Sequence, residues 1–275
     1  MTVLAIDFMN QCHRARSGFA AGDYAVVYNF FRQFKSLIDQ FKPTRVYVAL
    51  EGRPTARREL LDEYKANRKV DENDPKHAEL LKFFMQKDII VELLNNYFPV
   101  SLVRHPTSEA DDTIANIVLN SSTSTLWTIV SSDTDFIQLL QKAPHAKLYN
   151  PIRKEYVEAP SEYDYVTWKA LRGDSSDNIP GIPGIGDKTA TKIASDPQLL
   201  QEKLNNPEFA SIFTRNYDLI DFIQWSDDEM QLMTSSTPTK DWATVKSKFL
   251  DMNFKSFDKP AAWDKFVSSF DSLWS

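Results

Sequence analysis

The sequence predicts an α/β fold, a central mainly parallel sheet flanked by helices, and three observations predict it. Thr2 to Asp7 is a short apolar run ending on an acid, the mark of a buried first strand. Tyr24 to Phe41 places Val27, Phe30, Phe31, Phe34, Leu37, Ile38 and Phe41 at helical spacing on one face. After Pro43, Arg45 to Leu50 (RVYVAL) reads as a second strand. Strand, helix and strand in close succession form a βαβ unit, which pairs its strands in parallel.

The remaining elements follow in order. Residues 52–73 are polar, with cations and acids alternating. Asp74 has the form of an N-cap with Pro75 at the first helical position, opening a helix to about Tyr97. Ser101 to Arg104 reads as a short strand. Ser108-Glu109-Ala110-Asp111 has capping-box form and opens a helix through about Asn120. Leu126 to Ser131 is a further buried strand, and Lys147 to Asn150 another. Only seven glycines occur, and Gly173, Gly181, Gly184 and Gly186 fall together with Pro180 and Pro183 between them. Such density predicts a tight, specifically shaped turn between helices. Beyond about residue 205 the pattern is helical, interrupted around Thr234–Thr239.

Composition excludes several classes. The chain has 275 residues, 42% hydrophobic and 25% charged, an ordinary globular balance. No apolar run reaches the length of a membrane span, and MTVLAIDF has neither the basic start nor the cleavage site of a secretory leader. The single cysteine, Cys12, reads as a small hydrophobe in a reducing, cytoplasmic setting. The four histidines have no triad-like partners, and with one cysteine they make no zinc-spaced set. The net charge of −6 fits nucleic-acid work only if the acids are gathered at one place and the cations at another.

The acids do fall in a pattern. Asp7 ends the first strand, Glu51 follows the second, Glu109, Asp111 and Asp112 stand at a helix start, Asp133 and Asp135 follow the LWTIVS strand, and Asp174 and Asp177 precede the Gly/Pro turn. In an open parallel sheet, ligands bind beyond the carboxyl ends of the strands, so topology brings several of these acids together. Any one acid after a strand is ordinarily a turn residue or a helix cap. Repetition at successive strand ends favours hard divalent cations, Mg²⁺ or Mn²⁺, two of which can clamp a phosphoryl displacement.

These residues resemble a known family, the 5′-nuclease superfamily: the bacteriophage-type flap endonucleases and the 5′-nuclease part of bacterial DNA polymerase I. The strand with Asp7, the Glu51…Arg57…Tyr64-Lys65-Ala66-Asn67-Arg68 stretch, Glu109-Ala110-Asp111-Asp112, Ser132-Asp133-Thr134-Asp135, Gly173-Asp174-Ser175-Ser176-Asp177-Asn178 and Gly181-Ile182-Pro183-Gly184-Ile185-Gly186-Asp187-Lys188-Thr189-Ala190 occur in the family's order. The resemblance runs from residue 2 to about 195, with a looser echo from Phe249 to Phe257. The family usually has Asp after the second strand; here Glu51 stands one position off, with a longer arm for the same ion.

The resemblance implies a metal-dependent 5′-nuclease that hydrolyses DNA phosphodiesters at 5′ flaps and 5′ ends without a covalent intermediate. It implies two metal ions on the nine acids. Residues 1–160 would be the catalytic core, with a helical arch over about 52–97. Residues 161–275 would be helical, with a helix–hairpin–helix at about 170–200. Arg57, Lys65 and Arg68 would offset charge on the reacting phosphate, Lys65 and Arg68 sharing one helical face, and Tyr64 would stack on an unpaired base. Without the resemblance, the interleaved Glu59, Asp62 and Glu63 would make this a solvated, salt-bridged face. Gly181, Gly184, Ile185, Gly186, Lys188, Thr189 and Lys192 would grip duplex DNA through its phosphates, with K⁺ on the backbone carbonyls of the turn. The partners implied are branched or nicked DNA and RNA primer–DNA hybrids, met by a monomer in the cytoplasm, that of the host if phage-encoded. Two rivals stand beside this reading. One is a junction-binding module without turnover, which would have lost several acids. The other is a PIN-type ribonuclease, which would lack the Gly181–Ala190 turn.

Overall fold

The computed structural model describes residues 1–68, 74 and 76–274. β1 (Thr2–Asp7) leads into α1 (Phe8–Arg16) and α2 (Ala25–Phe41), then β2 (Arg45–Ala49), α3 (Thr55–Leu60) and α4 (Lys76–Tyr97). β3 (Ser101–Arg104), α5 (Ala110–Leu119), β4 (Leu126–Val130), α6 (Ile137–Lys142), β5 (Ala146–Asn150) and β6 (Glu155–Val157) complete the α/β part. α7 (Tyr165–Arg172), α8 (Asp187–Ala194), α9 (Pro197–Leu204), α10 (Pro207–Ile220), α11 (Asp227–Leu232), β7 (Thr234–Ser235), α12 (Trp242–Asp251) and α13 (Pro260–Ser268) follow. Among the described residues no helix is long and apolar enough to cross a membrane.

Among the described residues seven strands form one sheet in the order β6-β5-β4-β1-β2-β3-β7. The inner pairings are parallel, as the βαβ pattern requires, and only the edge strands β6 and β7 are antiparallel. Those edges are three and two residues long, too short for an alternating pattern to be read. β1 lies at the centre, with β2 on one side and β4 on the other. This is a switch point, where the chain leaves the sheet in two directions and opens a crevice at the carboxyl ends.

Both sheet faces are covered. On one, Leu4, Ile6, Val46 and Val48 pack against Phe30, Phe31 and Phe34 of α2, which meet Phe249, Phe266 and Phe270 from the C-terminal helices. On the other, Val3, Ala5 and Ile129 pack on Ile114 and Val118 of α5 and on Leu139 of α6. A third cluster joins α7, α8 and α10 and includes Tyr64.

Several expectations are corrected. α1 was not anticipated, because its buried face is Phe8, Gln11, Cys12 and Ala15, a helical spacing in which glutamine hides the apolar stripe. The cap of α5 is Glu109, not Ser108, and the Asp112 carboxylate folds back onto the Glu109 N–H at 3.2 Å. Asp74 does accept from the Lys76 N–H at 2.8 Å, while Pro75 and the arch residues 69–73 lie outside the described residues. Lys65 and Arg68 do not share a helical face. α3 stops at Leu60, Lys65 has φ +55°, and among the described residues up to Arg68 the chain coils again only at Ala66–Arg68, as a 3₁₀ turn.

Candidate metal centre and nucleic-acid interface

The acids that end the strands meet in the crevice. Asp7 caps α1, accepting from the Asn10 N–H at 3.0 Å, and its other oxygen accepts from the Ser131 hydroxyl at 2.9 Å. Glu51 accepts from the Ala110 N–H at 3.1 Å, at the amino end of α5 where amide dipoles favour an anion. Asp133 caps the 3₁₀ turn Thr134–Phe136, accepting from the Asp135 N–H at 2.9 Å. Asp7, Glu51, Lys65, Glu109, Asp111 and Asp133 line one cleft of about 830 Å³. Asp133 also lines a neighbouring groove of about 790 Å³ with Lys169, Asp174, Tyr163, Trp168 and Gly181.

Two tighter groups flank this line. Glu109, Asp111 and Asp112 bring carboxylate oxygens within 4.8 Å of one another, and so do Asp135, Asp174 and Asp177. Gathering charge this way has a titration signature. Desolvation in the cleft raises the Asp7 carboxyl above its ordinary value, and that of Asp133 too, with Asp7 adding repulsion there. The Glu51 carboxyl is pushed up to about 7 by desolvation, then by Asp7 and Glu109. Asp111 is raised by burial and by Glu109 and Asp112. Asp135 rises to about 6 through burial, against the pull of Lys169. Carboxylates in this condition gain most from a nearby cation.

Two lysines stand among them. Lys65 reaches Glu109 and lies 3.5 Å from Asp177. Lys169 reaches Asp135 and lies 2.7 Å from Asp174. Burial is the largest single influence and opposes both ammonium charges, but the acids around each together overcome it and raise both pKa values: Glu109, Asp111 and Asp177 for Lys65, and Asp135 and Asp174 for Lys169. Burial likewise pushes Asp174 up, but Lys169 and the Ser176 donors overcome it and hold the acid at about 2.

Lys169 escaped sequence reasoning. It stands one turn before Gly173-Asp174 on α7, a helix whose limits were not read, so nothing marked its face. Asn10 and Ser131 were also missed. Asn10 braces the Asp133 turn by accepting from the Ser132 N–H at 3.1 Å and donating to the Ser132 hydroxyl at 2.8 Å.

Three expected roles change. Arg57 is 3% exposed and out of reach of a reacting phosphate. Its guanidinium donates to Glu109 at 2.8 Å, to both oxygens of Asp112 at 2.5 and 2.8 Å, and to the carbonyls of Leu219 and Asp221. Asp112 also accepts from the Ile223 N–H at 3.0 Å, so its oxygens are fully engaged and it serves as a brace. Tyr64 is 5% exposed, which leaves no ring face for a base, and its hydroxyl donates to Glu109 at 2.8 Å and lies 3.2 Å from Asp177. Arg68 remains at the cleft, paired with Asp177 at 2.5 Å.

The Gly/Pro turn divides in two. A Cβ on Gly181 would meet the Arg172 carbonyl at 2.1 Å, so this glycine serves close packing on the end of α7. Gly184, at φ +79°, and Gly186, the N-cap of α8, have open space where a Cβ would stand. Gly184, Gly186, Lys188 and Thr189 are exposed at the amino end of α8 and Lys192 on its last turn, while Ile185 is half-buried against the α7–α8 core. Backbone amides, open approach and two lysines suit an anion.

Comparison with known proteins agrees with this arrangement. Residues 4–167 match the family model described as the 5′-3′ exonuclease N-terminal resolvase-like domain, and residues 161–247 match the 5′-3′ exonuclease C-terminal SAM fold. DNA polymerase I of Caldicellulosiruptor bescii is 31% identical over 194 residues, covering 66% of this chain and 22% of that protein. The chain thus corresponds to about a fifth of that relative's length. The 5′-3′ exonuclease of Bacillus subtilis is 29% identical over 191 residues, covering 66% of this chain and 62% of that protein. The solved complex of the bacteriophage T5 D15 flap endonuclease with DNA and metal ions shares the fold, at a TM-score of 0.66 and 19% identity, with 98% of each chain covered.

Proposed function

The chain belongs to the 5′-3′ exonuclease family, and on that premise we propose that it is a structure-specific 5′-nuclease that hydrolyses DNA phosphodiesters with two divalent ions. The observation that carries the reading is the row of acids at the carboxyl ends of β1, β2 and β4, their carboxyls raised by desolvation and, at Glu51 and Asp133, also by the charge of Asp7. Oxygen donors at this density suit Mg²⁺ or Mn²⁺. Asp7, Glu51, Glu109, Asp111 and Asp133 would hold ions in the cleft, and Asp135, Asp174 and Asp177 beside it. When bound, the ions would supply positive charge to lower the pKa of water and to offset the charge of the reacting phosphate.

The chain's own groups divide the rest of the work. Lys65 lines the cleft, where its ammonium would meet a phosphate oxygen. Arg57 and Asp112 hold Glu109 in place. The exposed amino end of α8 would grip duplex phosphates without reading bases, with K⁺ on the turn's carbonyls. Substrates of this chemistry are 5′ flaps, branched or nicked duplexes and RNA primer–DNA hybrids, bound by a monomer.

A 5′-labelled flap duplex tests the reading. Cleavage is expected with Mg²⁺ or Mn²⁺ and not with EDTA; full activity in EDTA would exclude it. Lys65→Ala should lower the single-turnover rate about tenfold, or about 1.4 kcal/mol, more than it lowers affinity. A rate equal to wild type would return Lys65 to a purely structural ion pair.

The turn makes a separate prediction. Gly186→Val finds ordinary backbone angles and open space, so its melting temperature should not move. Its affinity for a non-cleavable duplex in Ca²⁺ should fall about tenfold, the scale of a lost charge-assisted hydrogen bond. Gly184→Val, at φ +79°, should instead lose stability. Unchanged duplex affinity in folded Gly186→Val would refute the phosphate grip.

A further inference from the structure

Two asparagines in the motifs, Asn67 and Asn178, direct their side-chain amides to main-chain carbonyls rather than to the carboxylates and lie outside the α8 turn. They face each other across segments more than a hundred residues apart in sequence. The Asn67 side-chain amide donates to the carbonyls of Ser175 at 3.1 Å and Ser176 at 3.4 Å. The Asn178 side-chain amide donates in the opposite direction, to the Glu63 carbonyl at 2.9 Å. Between them the Lys65 N–H donates to the Asp177 carbonyl at 3.0 Å. Lys65 at φ +55° and Asn178 at φ +61° both occupy the left-handed region. A lysine there persists only where its surroundings over-determine it.

We infer that Asn67 and Asn178 are positioning residues, a reciprocal amide clasp that holds Lys65 in its left-handed turn and so sets its ammonium against Glu109 and Asp177. All of the clasp's acceptors are main-chain carbonyls, so it does not compete with the carboxylates for their cations. It ties Lys65 to the loop that carries Asp174 and Asp177 and runs on to Gly181, rather than to its own short α3. Movement of that loop would therefore carry Lys65 with it. The inference rests on the role proposed above for Lys65.

Asn67→Ala and Asn178→Gly test it, the glycine keeping the left-handed backbone without strain. In single-turnover cleavage of the flap duplex, each should slow the reaction about fivefold, the scale of one net hydrogen bond, with duplex affinity in Ca²⁺ unchanged. In a Lys65→Ala background neither should cost anything further. An equal loss in that background, or a parallel loss of affinity, overturns the clasp. Amide hydrogen exchange of the metal-free protein gives a readout independent of turnover. Each variant should exchange the Lys65 amide faster than wild type, and unchanged protection overturns the inference. Wild-type turnover in the same assay reports on the nuclease reading alone.

Discussion

Asp133→Asn is expected to lower single-turnover cleavage at saturating Mg²⁺ about a thousandfold or more, some 4 kcal/mol of transition-state stabilisation. Asp133 is the acid common to the cleft and the neighbouring groove, so its charge bears on both halves of the site. The substitution isolates that charge. Asparagine can still accept the Asp135 N–H and cap the 3₁₀ turn, so the local backbone keeps its hydrogen bond. Desolvation holds the Asp133 carboxyl above its ordinary value, which means the ionised form costs the metal-free protein stability near neutral pH. The variant without metal should therefore melt at or slightly above the wild-type temperature, and should gain less from added Mg²⁺. Duplex affinity in Ca²⁺ should stay within a fewfold of wild type. A rate within tenfold of wild type, or a loss of binding that matches the loss of rate, would remove Asp133 from the metal centre.

The second large effect is on stability. Arg57→Ala should destabilise the fold by about 3–5 kcal/mol, because it leaves Asp112, which is fully buried, without its cation. For a chain of this size that is a fall in melting temperature on the order of 10 °C. The same change strips Glu109 of one donor and leaves the Leu219 and Asp221 carbonyls short of theirs. A double replacement, Arg57→Met with Asp112→Leu, should recover much of the loss, since apolar groups of similar volume can stand in for a buried ion pair. Thermal melts of both variants without metal check this. A fall of less than about 2 °C for Arg57→Ala would show that the pair is dispensable to the fold.

Much of the architecture was legible because burial writes itself into spacing. The Phe30, Phe31 and Phe34 stripe and the VLAI and VYVA runs admit one arrangement, and the acids at strand ends follow from parallel pairing. The rest was hidden where polar residues are buried. Arg57 and Asp112 look like charged surface residues in sequence, and only three-dimensional packing shows that each is the other's solvent. Tyr64 reads as an exposed aromatic until its hydroxyl is seen between two carboxylates. Lys169 required knowledge of which way α7 faces. Gly181 could be separated from Gly184 and Gly186 only by what stands within reach of a missing Cβ. Secondary structure also broke where sequence suggested continuity, at Leu61 to Lys65, because the turn is held by contacts to the distant loop at Asp174–Asn178 and not by local preference.

The bonds from Arg57 to the carbonyls of Leu219 and Asp221, and from the Ile223 N–H to Asp112, also order events in time. As the chain leaves the ribosome, the guanidinium and its acids are made long before these partners. Until residues 219–223 arrive, Arg57 and Asp112 keep groups that only water can satisfy, and the end of the sheet stays open. Contacts across more than 160 residues are slow to close, since chain entropy must be spent before they reward it. The acidic centre thus sets late, and a chain interrupted before residue 219 would carry β1 to β6 but not the finished site.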